Sequence, residues 1–246
     1  MHEPQLPNDW LSTALGRRCL DNEQRLVQRA LEQMFGEQLL QIGSWGGVDS
    51  FLPFARTQRA ACLDWRGTAD VDVLSHTDRL AVASDSVDVV LLPHTLELIP
   101  SPHALLREVD RILRADGYIV ALSFSPNGAW GLRHLLSRNG YPQLNQRLIR
   151  EGRLRDWLEL LNFEVGSRQR YLNTLPFEKL RRFGTLPEES WLTRWCPGLS
   201  GGYLLCAQKR VQPLTPIRRP WQRRHLKVVG GLVEPTTRVS QRRQYR

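Results

Sequence analysis

Apolar positions along this chain change period several times, and each change predicts an element. Between residues 21 and 36, Leu26, Ala30, Leu31, Met34 and Phe35 share one face at helical spacing, with Asp21 and Gln24 as a capping pair and Gly36 at the exit. This predicts a helix. Residues 38–42 (QLLQI) and 59–64 (RAACLD) then read as short buried strands, the first running into glycines and the second ending in an acid. Residues 71–74 form a weaker strand candidate, and 87–92 (VDVVLL) is β-branched and nearly all apolar, as the interior of a parallel sheet requires. Ser101 and Pro102 then open a helix whose stripe is Leu105, Leu106, Val109, Ile112 and Leu113. Asp116-Gly117 turns the chain into the strand YIVALSF. A helix at 128–136, an amphipathic helix at 153–161, a strand from 163 and a last strand at 202–208 complete the series. Strands alternating with helices at this spacing predict an α/β fold with a doubly wound sheet, its ligands outside the carboxyl ends of the strands.

Length changes this picture little: 246 residues, 41% of them hydrophobic, suffice for one core with decorations. The expected organisation is an N-terminal extension over 1–20, a body over 21–210 and a tail over 211–246. Charge separates the last two. From Val211 to Arg246 nine basic residues face one acid, Glu234, so the tail holds +8 of the formal net charge of +9. Its four prolines and sparse apolar pattern predict disorder, since burial there cannot offset the entropy of ordering. Interleaved aromatics and cations in WQRRHLKVVGG and RVSQRRQYR suit phosphate contacts, which makes nucleic acid a candidate partner of the tail. No apolar run approaches the roughly 20 residues of a membrane span, and MHEPQLPNDW has neither the cationic start nor the apolar core of a signal peptide. A cytoplasmic protein without integral membrane contact is expected. Cys19, Cys62, Cys196 and Cys206 form no CxxC pair and no cluster with histidines, so neither a disulfide framework nor a metal site is indicated.

The chemistry-bearing stretch is LLQIGSWGGVD, residues 39–49. Glycine after a strand lets backbone approach a ligand, because it lacks a Cβ and tolerates positive φ. An ionised acid ending the next strand can accept both hydrogen bonds of a ribose diol. Asp64 lies 21 residues after Gly43, close to the spacing of the dinucleotide fingerprint. A plain strand-to-helix turn and a loop-capping acid would look the same.

The order of the middle of the chain is more specific. Asp85-Ser86-Val87-Asp88, the strand after it, His94-Thr95-Leu96, Leu106-Arg107-Glu108, Arg111-Ile112-Leu113 and Asp116-Gly117 resemble the central region of class I S-adenosylmethionine-dependent methyltransferases, especially the type 11 group. Residues 157–165 (WLELLNFEV) resemble that family's helix into strand six, and the resemblance spans about 22–210. It implies a Rossmann-like, seven-stranded, mostly parallel sheet, S-adenosyl-L-methionine as cofactor, and an unidentified methyl acceptor. It also implies that Gln41, Gly43, Ser44, Gly47, Asp64, His76, Pro93 and His94 line the cofactor, with Asp64 on the ribose. No catalytic residue is implied: in-line methyl transfer gains mostly from orientation, and His94 is expected to pack or hydrogen-bond rather than act as a base.

Three positions depart from the family pattern. Gln41 stands where an acid usually holds the cofactor's ammonium, Trp45 where the middle glycine of G-x-G-x-G belongs, and His76 where an acid commonly meets adenine. The Trp45 indole could turn away, fill the cofactor's place, or flank a sulfonium by a cation–π contact. Two readings follow: a working methyltransferase, or a methyltransferase-like scaffold without turnover whose tail binds RNA or a protein partner. A nicotinamide-dependent dehydrogenase is disfavoured by the segment after strand four.

Overall fold

The computed structural model describes residues 8–67, 70–127, 129–137, 148–172 and 200–210. All lie in one unit of the chain, residues 1–212. The basic tail and its expected disorder, and Cys196, fall outside the described residues.

Seven strands form one sheet: β1 (Phe35–Ile42), β2 (Arg56–Asp64), β3 (Val73–Leu74), β4 (Val87–Pro93), β5 (Leu113–Phe124), β6 (Phe163–Tyr171) and β7 (Gly202–Lys209). Their order is β3-β2-β1-β4-β5-β7-β6. β1 to β5 pair in parallel, and β7 runs antiparallel between β5 and β6. The predicted doubly wound, mostly parallel sheet is therefore present. Alternation along the strands splits the core in two. Leu40, Ile42, Val90, Leu92 and Ala121 face α4 (Pro102–Ile112) and α6 (Glu151–Leu160), while Leu39, Val89, Leu91, Val120 and Leu122 face α2 (Ala14–Leu31).

The first helix corrects the sequence expectation. α2 begins at Ala14, where the Thr13 hydroxyl accepts from the Gly16 amide at 3.1 Å; Asp21 is mid-helix and caps nothing. Its buried stripe is Leu15, Cys19, Glu23, Val27 and Leu31, spaced by four. The short helix α1 (Asn8–Leu11) contributes Trp10 and Leu11 to the same core. Phe35, assigned to the helix by its spacing, instead starts β1 and is 69% exposed. Ser101 precedes α4 as expected, but its side chain makes no capping bond. Leu113, placed in the stripe of α4 by its spacing, instead opens β5, which runs through Asp116-Gly117, and β3 is shorter than expected; the remaining elements agree in type, α5 being Ala129–Leu136.

The methyltransferase-like phrase in α4 has a structural purpose. Glu108 accepts from the Leu80 amide at 2.9 Å, and Arg111 donates to the carbonyls of Leu80 and Val82 at 3.0 Å each while pairing with Glu108 at 2.8 Å. Together they fix the loop that feeds β4. Among the described residues no helix is long and apolar enough to cross a membrane.

Candidate active site

Strand order reverses between β1 and β4, so the loops leaving these neighbours diverge and open the crevice where such sheets bind ligands. The loop after β1 is the glycine turn. Gly43 adopts φ +95°, and a Cβ there would lie 2.7 Å from Thr95 Oγ1. The Thr95 hydroxyl donates to the Ile42 carbonyl, clamping the turn to the start of α3 (Thr95–Leu98). Gly46, at φ +74°, is pressed against Leu20 and Ser50, whereas Gly47, at φ +100°, faces open space beyond Ser50 Oγ at 3.9 Å.

Trp45 settles which way the turn's large side chain points. Its indole is 2% exposed, with ring centroids 4.4 Å from His94 and 5.8 Å from Phe124, and it packs against Trp10 at 6.3 Å. His94 follows β4 and Phe124 ends β5, so the indole covers the carboxyl ends of both strands. Its Nε1 donates to Glu23 Oε2 at 2.9 Å.

That bond belongs to a buried network that sequence reasoning missed. Glu23 Oε1 meets Cys19 Sγ at 2.9 Å, the Tyr171 hydroxyl at 2.9 Å and His94 Nε2 at 3.1 Å. His94 Nδ1 meets Glu97 Oε2 at 2.9 Å, and Glu97 Oε1 accepts from the Phe124 amide at 2.6 Å. His94 takes a left-handed backbone (φ +54°) that turns its ring into this cluster. The legible signal was Glu23 itself, a carboxylate in the middle of an otherwise apolar i, i+4 stripe. Glu97, one helical turn after His94, was a second.

The remaining predicted residues divide. Ser44 and Asp64 meet: Asp64 Oδ2 accepts from the Ser44 hydroxyl at 2.5 Å and its amide at 3.1 Å, while Oδ1 accepts from the amides of Trp65 and Arg66 at 2.7 and 3.0 Å. Asp64 is fully buried, and both oxygens already hold the chain's own donors. Gln41 is also fully buried; its Nε2 donates to the Gly43 carbonyl at 2.9 Å, which fixes the amide's orientation and leaves Oε1 with no donor among the described residues. Pro93 ends β4 beside His94. His76 is exposed in a turn that bridges to Arg79, separate from the network.

A family profile described as a methyltransferase domain matches residues 50–121, from just after the glycine turn to β5. The chain is 35% identical over 211 residues to the uncharacterized protein YafS of Escherichia coli, covering 85% of this chain and 83% of that one. Among solved structures, a chain from the complex of the Haloferax volcanii Trm112 methyltransferase activator with a methyltransferase aligns with a TM-score of 0.59 at 16% identity, covering 86% of this chain and all of that one. The chain belongs to one family with YafS and carries a methyltransferase domain on the class I methyltransferase fold. The same fold also carries other chemistry: the [4+2]-cyclase SpnF aligns with a TM-score of 0.53 at 17% identity, covering 78% of this chain and 81% of that one.

In this methyltransferase fold the network sets unusual proton affinities. Burial pushes the His94 imidazole down, but the charge and hydrogen bond of Glu23, joined by those of Glu97, outweigh it and hold its pKa up at about 9. Burial pushes Glu23 up, yet His94 and the donors Cys19 and Trp45 bring it below the usual carboxylate range. For Glu97 burial wins and the pKa is raised. Burial, reinforced by Glu23, also raises the Cys19 thiol and the Tyr171 phenol. A pKa of about 9 favours the imidazolium form of His94 at neutral pH, paired with Glu23.

Proposed function

We propose that this chain is an S-adenosylmethionine-dependent methyltransferase acting on an unidentified acceptor. The observation that carries this reading is the orphaned Oε1 of Gln41, two residues before the glycine turn at the carboxyl end of β1. A buried acceptor without a donor costs about 1–3 kcal/mol, and a ligand ammonium arriving there would offset it. The polar chemistry therefore fits the cofactor. The room does not while the Trp45 indole covers β4 and β5, so binding requires that side chain to leave its place.

In this reading Gln41 accepts from the amino group and the backbone of Gly43, Ser44 and Gly47 lies along the ligand. Asp64 exchanges the Ser44 hydroxyl for those of the ribose, His76 meets the adenine side, and Pro93 and His94 close the floor. S-adenosylmethionine supplies a methyl group activated on a sulfonium. The chain's part is to align the acceptor and exclude water, which is where such displacements gain most of their rate. The free thiols of Cys19, Cys62 and Cys206 suit a reducing compartment, so a cytoplasmic setting is part of the proposal.

Isothermal titration of the full chain with S-adenosylmethionine and S-adenosylhomocysteine tests it. Micromolar binding is expected, and Gln41→Leu should weaken it at least tenfold, about 1.4 kcal/mol. Unchanged affinity in that variant would remove Gln41 from the site. Trp45→Gly, which restores the family's middle glycine, should tighten binding of the folded protein by about tenfold.

The buried indole favours one other reading, a methyltransferase-like scaffold whose cleft is filled by its own side chain and whose basic tail engages RNA or a protein partner. It predicts no heat with either ligand from folded wild-type protein or from Trp45→Gly.

A further inference from the structure

A second concave site lies past the end of β5, away from the glycine turn. It is a cleft of about 920 Å³, with Ser125, Pro126 and Asn127 at its base, α5 on one side, and the start of α6 with the last residues of β6 on the other. Five arginines line it, Arg150, Arg153, Arg155, Arg168 and Arg170, against two acids, Glu151 and Asp156. Arg168 and Arg170 are two apart on a strand and so share a face. Glu151 answers both, at 3.3 and 2.8 Å, and is used up by them. Arg155 pairs within its helix with Glu159 at 3.7 Å. Among the described residues no ion pair engages Arg150 or Arg153; the Arg153 guanidinium lies over the Trp157 ring at 5.2 Å, a cation–π contact that brings no opposite charge. The cleft therefore keeps a positive excess beside the substrate end of the sheet.

Its backbone points the same way. α6 has ten residues, and Arg150 at its N-cap makes no side-chain capping bond. The amides of the first turn have no carbonyl partner within the helix and carry the positive end of its dipole. Gly152 sits in that turn, and a Cβ there would meet nothing within 4 Å, so a ligand can come against bare backbone. Guanidinium forks around free helix-terminal amides match the oxygens of phosphate. The volume suits a nucleotide-sized group rather than a duplex.

We propose that this cleft binds a phosphate-bearing, nucleotide-sized group of the methyl acceptor. The inference rests on the methyltransferase reading for its word acceptor, and on the cleft alone for its word phosphate.

Two probes separate a free phosphate chain from the phosphates of a strand: inorganic tripolyphosphate and a short single-stranded RNA, each titrated into the full chain without S-adenosylmethionine at about 100 mM salt. The double variant Arg150→Glu, Arg153→Glu alters two exposed side chains that hold no ion pair, and Arg150→Gln, Arg153→Gln is the milder partner. The charge reversal should weaken one or both probes at least tenfold, with the glutamine pair intermediate and the salt dependence reduced. Loss of tripolyphosphate alone assigns a small phosphorylated acceptor, and loss of RNA alone assigns a strand. Arg59→Glu, on exposed β2, should change nothing. The proposal is overturned if the cleft variants bind both probes as wild type does, if neither probe binds wild type, or if Arg59→Glu or glutamines at Arg218, Arg219, Arg223 and Arg224 reproduce the whole loss. Phosphate binding without any S-adenosylmethionine binding would keep the cleft and remove the methyltransferase reading; the converse would keep that reading and remove the anionic acceptor.

Discussion

Glu23→Ala is expected to lower the unfolding free energy by about 3–5 kcal/mol, measured by urea denaturation followed by circular dichroism at neutral pH. The size follows from what the carboxylate holds. With it gone, the Trp45 indole N–H, the Tyr171 hydroxyl and the Cys19 thiol lose their shared acceptor, and the His94 imidazolium keeps one of its two carboxylate partners, Glu97. All of these groups are buried, so water cannot replace the lost contacts. Glu23→Gln keeps an acceptor but no charge, and should fall between the variant and wild type. A loss below about 1 kcal/mol in Glu23→Ala would mean that the network does not form as described.

The second large effect is on pH. The folded pKa of His94, about 9, lies above its ordinary 6.5, so His94 binds its proton more tightly in the folded chain. Its contribution is fully present below pH 6.5 and is lost as pH rises through about 9. A displacement of that size corresponds to on the order of 3 kcal/mol. Glu97, also raised, weakens the fold as pH climbs from 4.5 through its folded value, and His94→Asn keeps that carboxyl as the internal control. Cys19 and Tyr171 add to the loss only above their unfolded values of 9.0 and 10.0. Glu23, lowered, matters on the acid side and destabilises as pH falls through its folded value. Denaturation curves at pH 6 and 8.5 should therefore show wild type losing about 2 kcal/mol, and His94→Asn losing little over the same interval. Equal slopes in the two proteins would mean that His94 is neutral in the folded state.

These two expectations describe a methyltransferase fold whose switch point is filled from within. In an open sheet the carboxyl ends of β1 and β4 would meet solvent or ligand. Here helix α2 lays a carboxylate over them, and the glycine turn adds an indole. A ligand entering at this point would have to undo the Trp45 to Glu23 bond and the tilted ring contact with His94, so the proposed cofactor binding would draw on the stability of the same network.

Local pattern was enough to determine the sheet. The apolar strands at 38–42, 59–64 and 87–92 and the stripe of α4 are set by burial on one or both faces, and burial has a period that a sequence displays. The Asp85 to Gly117 phrase could be read because Glu108 and Arg111 hold a loop only about 30 residues away in sequence, close enough to leave a fixed spacing. The start of α2 was misread because Asp21 and Gln24 have the right types for a cap. The true cap at Thr13 is chosen by the packing of Leu15 and Cys19 against the sheet, which overrides a local bond worth about 1 kcal/mol.

The candidate site was legible in its parts and not in its assembly. Sequence singled out Gln41, Trp45, Asp64 and His94, but gave no direction for the indole and no partner for the histidine. Those depend on Glu23 and Tyr171, which lie 71 and 77 residues from His94 along the chain and reach it only once α2 and β6 are in place. Which elements exist is decided by neighbours a few residues apart, so the sequence by itself determined the α/β sheet and its methyltransferase order. Whether the turn after β1 stands open or closed is decided by side chains that meet only after the chain has folded, and that was left to the tertiary structure.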